Sequence, residues 1–135
     1  MIQLYTVPHC EASRRARKWL NHQGLDYQEY NLLLQGPNIR ALLYRLLPLL
    51  EGEVSELLAT GTKAYRPVKR QLANISLSHW VDYIVEHPEL IKHPIICDEV
   101  KLQVGFHPED IRRFIPHTMR QMSCRLVRER LNHQE

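Results

Sequence analysis

The amino-acid sequence predicts a mixed α/β fold in which a βαβ half and a ββα half are separated by a helical insertion. Three observations lead to it: a strand–helix–strand pattern in the first 32 residues, a leucine-rich middle, and an apolar hairpin pattern near residue 100. A chain of 135 residues is long enough to bury a sizeable core. We therefore expect a single domain over residues 1–135, with the helical insert at about 37–75 and a charged C-terminal helix or tail at about 117–135.

The N-terminal half is predicted to be a βαβ unit. Residues 2–6 alternate along Ile-Gln-Leu-Tyr-Thr and indicate a strand, which Pro8 interrupts. Residues 11–23 carry apolar side chains at helical spacing, and Gly24 suits the position that follows a helix. A second strand is predicted over 27–32, and the two strands of such a unit should be parallel.

The middle of the chain is predicted to be helical. Residues 38–50 contain a dense leucine pattern, which Pro48 should break or kink because proline lacks a backbone N–H. A short helix is expected over 51–58, a weaker one over 65–72, and a serine-capped amphipathic helix over 77–86.

The C-terminal half is predicted to contain a β-hairpin followed by helices. Residues 94–97 and 102–105 have the composition of short strands joined by a turn. A helix is expected over 109–114, and a polar, arginine-rich helix over 118–132. The resulting order is that of a thioredoxin-like fold. In that fold, a cysteine after the first strand lies at the N-terminus of the first long helix.

The chain has three cysteines, Cys10, Cys97 and Cys124, an odd number and too few for the disulfide framework of a secreted protein. Cys97 falls on a predicted core strand and is expected to be a buried structural thiol, whereas Cys124 is expected to be a bystander on the tail. No charged-then-apolar leader precedes Ile2, and no apolar run approaches the ~20 residues of a membrane span. We therefore expect a cytoplasmic protein with reduced thiols and no membrane contact. Its net charge of +3 does not demand a nucleic-acid partner.

Cys10 is the candidate reactive residue. It is predicted to lie at a helix N-terminus, where free N–H groups and the helix dipole favour a thiolate, and Arg14 and Arg15 should act in the same direction. Ser13 stands where a C-x-x-C pair has its second cysteine. We expect Ser13 to cap the helix or to be solvated, with a hydrogen bond to the Cys10 sulfur as the other option. The alternative for Cys10 is an inert, half-buried thiol.

Four blocks of the sequence carry a resemblance to a known family. They are L-Y-T-x-P-x-C at residues 4–10, E-H-P-E-L-I-K-H-P-I-I at 86–96, D-E-V-K-L-Q-V-G-F at 98–106 and E-D-I-R-R-F-I-P at 109–116. With these blocks the chain resembles, over nearly its whole length, the Spx regulators of the arsenate reductase (ArsC) superfamily. The resemblance implies a thioredoxin-like domain with a helical insert.

The resemblance to Spx also implies a function and a set of partners. Spx proteins bind the C-terminal domain of the RNA polymerase α subunit and redirect transcription under thiol stress. They meet promoter DNA only within the polymerase complex, and a cytoplasmic protease degrades them through their C-terminal end. The α-contacting glycine of the family corresponds to Gly52, beside Glu53, and its cis proline corresponds to Pro94. The resemblance implies no cofactor, and the eight histidines show no metal-site spacing.

Two departures from the family pattern bear on the chemistry. Ser13 replaces the second cysteine, so an intramolecular disulfide between positions 10 and 13 is excluded. His93 precedes Pro94 where the family usually has arginine. The redox input is left open between three options: a mixed disulfide of Cys10 with a low-molecular-weight thiol, an intermolecular disulfide, and no redox control at all.

An arsenate reductase-like thiol oxidoreductase using Cys10 is the alternative function. The run Cys10-x-x-Ser13-Arg14 is similar to the arsenate reductase signature C-x-x-S-R. An oxyanion substrate needs several arginines around the thiolate, yet Gly61 and His93 occupy the positions of two family arginines. The sequence therefore favours a global transcriptional regulator over an enzyme.

Overall fold

A four-stranded sheet organises the computed structural model, which describes residues 1–36 and 38–116. The strands lie in the order β2-β1-β3-β4, where β1 is parallel to β2 and antiparallel to β3, and β3 is antiparallel to β4. Their bounds are β1 Ile2–Thr6, β2 Tyr27–Asn31, β3 Ile95–Cys97 and β4 Leu102–Val104. The predicted α/β fold, with a parallel βαβ unit and an antiparallel hairpin, is confirmed.

Four α-helices accompany the sheet in the described residues: α1 Glu11–His22, α2 Asn38–Leu46, α3 Lys69–Ala73 and α4 Leu77–Glu86. Gly24 follows α1 with a φ of +67°, a left-handed conformation that glycine adopts without strain. The N-terminus of α4 is capped as predicted, because Ser76 Oγ accepts a hydrogen bond from the His79 N–H. The break expected near Pro48 is also present, since α2 gives way to a 3₁₀ turn over Leu47–Leu49.

Three predicted helices are shorter or tighter than expected. The helix predicted over 51–58 is a 3₁₀ turn over Val54–Leu57, and the one predicted over 109–114 is a 3₁₀ turn over Asp110–Phe114. The helix predicted over 65–72 divides into a 3₁₀ turn, Arg66–Val68, followed by α3. Nucleating an α-helix is costly in segments this short, so all three contain a 3₁₀ turn, and α3 is the one α-helix among them. The tail helix predicted over 118–132, with Cys124, lies outside the described residues.

The sheet separates two apolar clusters. Leu4 and its β3 neighbour Ile96 belong to the cluster that includes α1 and the 3₁₀ turn over Asp110–Phe114. Tyr5 and its β3 neighbour Ile95 belong to the larger cluster. Neighbouring strand residues point to opposite faces, so each face of β1 and β3 is covered by its own layer. The larger cluster contains these buried residues of the region between the two halves and of α4: Ile39, Leu42, Leu43, Leu46, Leu57, Leu58, Tyr65, Leu72, Trp80, Val81 and Ile84.

Cys97, the last residue of β3, belongs to the larger cluster and is only 1% exposed. Burial raises the pKa of the Cys97 thiol, which keeps it protonated at neutral pH. It is therefore the buried structural thiol that the sequence predicts.

We expect Leu4→Ala to lower the free energy of unfolding by about 2–5 kcal/mol, because it removes a buried side chain from the centre of the sheet and leaves a cavity. The measurement is urea unfolding followed by circular dichroism. Leu34→Ala is the matched control: Leu34 is 78% exposed, whereas Leu4 is fully buried. The control should change the free energy of unfolding by less than about 0.5 kcal/mol. Equal effects of the two substitutions would contradict the assignment of the core.

Candidate functional site

Cys10 is the N-cap residue of α1. Its backbone is extended, with φ −110° and ψ 117°, and its Sγ accepts a hydrogen bond from the Ser13 N–H at 3.4 Å. The preceding residue, His9, has a φ of +59°, which turns the chain from β1 into the helix. The sulfur thus takes the place of the side-chain oxygen that usually caps a helix, and it sits at the positive end of the helix dipole.

His93 lies against the same sulfur. Its Nδ1 is 3.0 Å from Cys10 Sγ, although the two residues are 83 positions apart. The His93–Pro94 peptide bond is cis, the geometry that the resemblance to Spx implies for Pro94. Partial burial lowers the pKa of the His93 imidazole below its ordinary value of 6.5, so the ring is neutral at pH 7. A neutral imidazole either donates or accepts a hydrogen bond at Nδ1, according to its tautomer.

Ser13 does not act as the cap that the sequence suggests. Its side chain is 1% exposed, and its Oγ accepts a hydrogen bond from the Val7 N–H at 3.3 Å. Ser13 therefore contacts Cys10 through its backbone N–H, not through its hydroxyl. The expectation that Ser13 caps the helix or is solvated is wrong, because Cys10 fills the cap and the serine hydroxyl holds the loop before it.

The two arginines expected to stabilise a Cys10 thiolate are engaged elsewhere. The guanidinium group of Arg14 donates to both carboxylate oxygens of Glu11, at 2.8 and 2.7 Å, and this ion pair lowers the pKa of Glu11. The guanidinium group of Arg15 lies 5.0 Å from the centre of the Phe106 ring, in a cation–π arrangement. The polar contacts of the Cys10 sulfur thus come from Ser13 and His93.

The sequence alone does not indicate that His93 touches Cys10. It shows His93 only as a departure from the family's arginine, and no local spacing connects positions 10 and 93. The Arg14–Glu11 pair does have a local signal, since the two side chains are three residues apart on one helix.

Gly52 and Glu53 form a second candidate site, on an exposed loop before the 3₁₀ turn over Val54–Leu57. A Cβ atom at position 52 would collide with the carboxylate of Glu56, so that side chain packs directly over the glycine. Beside the loop lies a groove of about 720 Å³, and Leu77, 48% exposed, contributes to its lining. Gly52, Glu53, Val54, Tyr65, Leu72 and Trp80 also line it.

The Gly52 loop and the Cys10 pair belong to different parts of the fold. Cys10 and His93 meet beside the ends of β1 and β3, whereas the Gly52 groove lies between the 3₁₀ turn over Val54–Leu57 and the helices α3 and α4. Within residues 1–36 and 38–116, no group of three or more His, Cys, Asp or Glu side chains could hold a metal ion. In the same residues, no helix is both long and apolar enough to cross a membrane.

Comparison with known proteins identifies relatives over most of the chain. The ArsC family model matches residues 5–114. A global transcriptional regulator Spx from Lactiplantibacillus plantarum is 36% identical over 89% of this chain and 90% of its own length. The corresponding protein of Listeria monocytogenes EGD-e is 31% identical over 98% of this chain and all of its own length. The likeness therefore includes both halves of the fold and the region between them.

Solved structures agree with the fold. An arsenate reductase from Vibrio cholerae is 25% identical and superposes with a TM-score of 0.73, over 84% of this chain and 97% of that one. A solution structure from Staphylococcus aureus, SACOL0876, has a TM-score of 0.74 over 84% of this chain and 97% of that one, at 21% identity. The same arrangement of sheet and helices thus occurs in proteins with quite different sequences.

We expect the free energy of unfolding to fall as the pH drops through 6.5, and His93→Asn to reduce that fall. The pKa of His93 is lower in the folded protein than its ordinary value of 6.5. As the pH falls, this ring is therefore protonated at a higher pH in the unfolded chain than in the folded protein. Stability is therefore lost as the pH falls through 6.5, and the loss ends below the folded-state pKa. Urea unfolding at several pH values measures the slope.

His79→Asn, at an exposed position on α4, is the control for this pH dependence. It should leave the slope close to that of the unaltered chain. A His93→Asn variant that keeps the full slope would contradict the assignment of a partly buried, neutral imidazole.

Proposed function

The chain belongs to the ArsC family, and on that premise we propose that it is an Spx-like global transcriptional regulator. In this proposal it binds the C-terminal domain of the RNA polymerase α subunit and alters transcription under thiol or oxidative stress. The observation that carries the proposal is the identity of 31–37% with curated Spx regulators over 83–98% of the chain. Similarity of that extent includes the region that carries Gly52 as well as the Cys10 end of the sheet.

The Gly52 loop is the proposed docking face for this domain of the polymerase. Gly52 and Glu53 are exposed, and a partner that displaces the exposed Glu56 side chain can approach the backbone of the glycine closely. The adjoining groove offers apolar lining from Leu72 and Trp80, with the exposed Leu77 contributing. An apolar groove with polar residues at its rim is typical of the centre of a protein–protein interface.

The carboxylates of the Gly52 loop favour a partner surface with basic side chains, while Lys69 adds a positive charge to the lining of the adjoining groove. Glu51, Glu53 and Glu56 are exposed beside Gly52. Complementary charge of this kind speeds encounter and selects among partners more than it adds affinity. We expect the chain to contact promoter DNA only within the polymerase complex. We also expect a cytoplasmic protease or its adaptor to act on the C-terminal end of the chain.

Arsenate reduction with Cys10 as the nucleophile is the second candidate function. It is favoured by the partly exposed thiol at a helix N-terminus and by the similarity to the Vibrio cholerae arsenate reductase. Against it, Arg14 is paired with Glu11, and His93 and Gly61 take the positions of two family arginines. Assay of arsenate-dependent thiol oxidation, with Cys10→Ser as the control, tests this candidate; turnover that requires Cys10 would favour it over the regulator.

Titration calorimetry with the purified C-terminal domain of the polymerase α subunit tests the regulator proposal. The chain is used both reduced and treated with peroxide. Binding in both states would indicate a regulator that acts through its abundance. Binding that changes with oxidation would indicate that oxidation of Cys10 controls the interaction with the polymerase domain. Failure to bind in either state would contradict the proposal.

We expect Gly52→Gln to weaken binding to the polymerase domain at least about tenfold, which corresponds to about 1.4 kcal/mol. The glutamine side chain would sterically block the approach of the polymerase domain to this loop. The nearest atoms that its Cβ would meet are those of Glu56, whose side chain is exposed and can rotate away, so the fold should persist.

Gly61→Gln is the matched control for this substitution. Gly61 is also exposed, and no atom of the described residues lies within 4 Å of a Cβ added there. It should leave the affinity within about twofold of the unaltered chain. Equal losses for the two variants, or no loss at Gly52, would contradict docking at this loop.

A further inference from the structure

The contact between Cys10 and His93 has no role in the proposed docking. The two side chains come from different elements and meet with 3.0 Å between Sγ and Nδ1. A thiol with a neutral imidazole within hydrogen-bond reach is the nucleophile–base arrangement of reactive cysteines. It differs from a single thiol at a helix end because the second group can accept the proton that the sulfur must lose.

We propose that Cys10 and His93 form a thiol–imidazole pair that makes Cys10 a site of mixed-disulfide formation with low-molecular-weight disulfides. His93 acts as the positioning residue and proton acceptor. The proposal deepens the regulator function and rests on it for its biological meaning, because the adduct would be the redox input. The chemistry itself needs no polymerase.

The reaction is a thiol–disulfide exchange. The Cys10 thiol passes its proton to His93 Nδ1, and the sulfur attacks one sulfur of a disulfide R–S–S–R. The new bond joins Cys10 Sγ to one R–S group, and the old S–S bond breaks to release R–S⁻. That leaving group takes the proton from His93 and departs as R–SH. Cys10 is oxidised, and the low-molecular-weight disulfide is the oxidant.

The surroundings of the pair suit this exchange. The Cys10 sulfur is partly exposed, so a small disulfide can reach it, whereas Cys97 is 1% exposed. Burial lowers the pKa of His93, so its ring enters the reaction unprotonated at neutral pH. The Ser13 N–H points at the sulfur and stabilises negative charge there.

The other charged groups near the pair are directed elsewhere. On α1, Glu11 and Arg14 bond each other. Beside His93, the Lys92 side chain lies over Gly105, where a Cβ atom would be 3.0 Å from Lys92 Cε. Next to Cys10, His9 is exposed on the turn. Among the described residues, His93 is thus the titratable side chain in hydrogen-bond contact with the sulfur.

Ser13 makes the mixed disulfide at Cys10 long-lived, because it cannot act as a resolving thiol. A cysteine at this position would attack the mixed disulfide across one helical turn and expel the small thiol. The Ser13 hydroxyl cannot do so, and it is buried against the Val7 N–H. The adduct would therefore persist until an external thiol attacks it.

The test is the rate at which the full chain is modified by cystine, followed by intact-mass spectrometry, with peptide mapping to locate the adduct. His93→Asn is the test variant, because asparagine keeps a polar group near the position of Nδ1 but does not accept a proton. We expect Cys10 to carry the adduct, and the variant to react at least about tenfold more slowly at pH 7. The two rates should converge near pH ~9.5, where an ordinary thiol ionises without help.

Convergence of the two modification rates at high pH would distinguish a role of His93 as proton acceptor from a purely structural role. His93→Gln serves as a second variant if the asparagine variant fails to fold, as judged by circular dichroism. Equal rates at pH 7, modification chiefly at another cysteine, or a disulfide-linked dimer as the main product would overturn the proposal. Binding of the polymerase domain is measured on the same samples, so loss of that binding with intact Cys10 chemistry would count against the regulator function alone.

Discussion

The antiparallel pairing of β1 with β3 is the constraint on which the rest of the structure depends. It joins the N-terminal βαβ unit to the C-terminal hairpin, placing Leu4 opposite Ile96 and Tyr5 opposite Ile95. That register assigns Leu4 and Ile96 to one apolar layer, and Tyr5 and Ile95 to the other. A slip by one residue would turn buried side chains toward the wrong layer. The same pairing brings the loop after β1 to the loop before β3, where Cys10 meets His93.

The two candidate sites share one apolar layer. Trp80 and Leu72, which line the groove beside Gly52, belong to the same cluster as Tyr5 and Ile95. Tyr5 and Ile95 are strand residues near the Cys10–His93 pair. One apolar layer thus lies beneath the proposed docking face and beside the strand ends next to the partly exposed Cys10 and His93. The proposed regulator with one reactive cysteine would use both features, and it would differ from a C-x-x-C protein because its oxidised form would require a second molecule.

Much of the fold could be predicted because its signals are local. The bounds of α4, the cap at Ser76 and the break near Pro48 follow from periodicity, capping chemistry and the missing proline N–H. The 3₁₀ turns could not be predicted, because a few residues of helical propensity do not specify which type of turn packing will favour. At the site, the position of Cys10 at the helix N-terminus was predictable. Its contact with His93 was not, because the two residues are 83 positions apart and meet only through the pairing of β1 with β3.

The proposed regulator function depends most directly on whether the Gly52 loop is the surface that contacts the polymerase. The measurement is an NMR titration of the isotope-labelled chain with the C-terminal domain of the polymerase α subunit, following every assigned amide. Docking at the Gly52 loop predicts chemical-shift changes that cluster around Gly52, the 3₁₀ turn over Val54–Leu57 and the groove at Leu72 and Leu77, with the amide resonances of Cys10 and His93 nearly unchanged. A titration without changes, or one whose changes centre on Cys10 and His93, would contradict it.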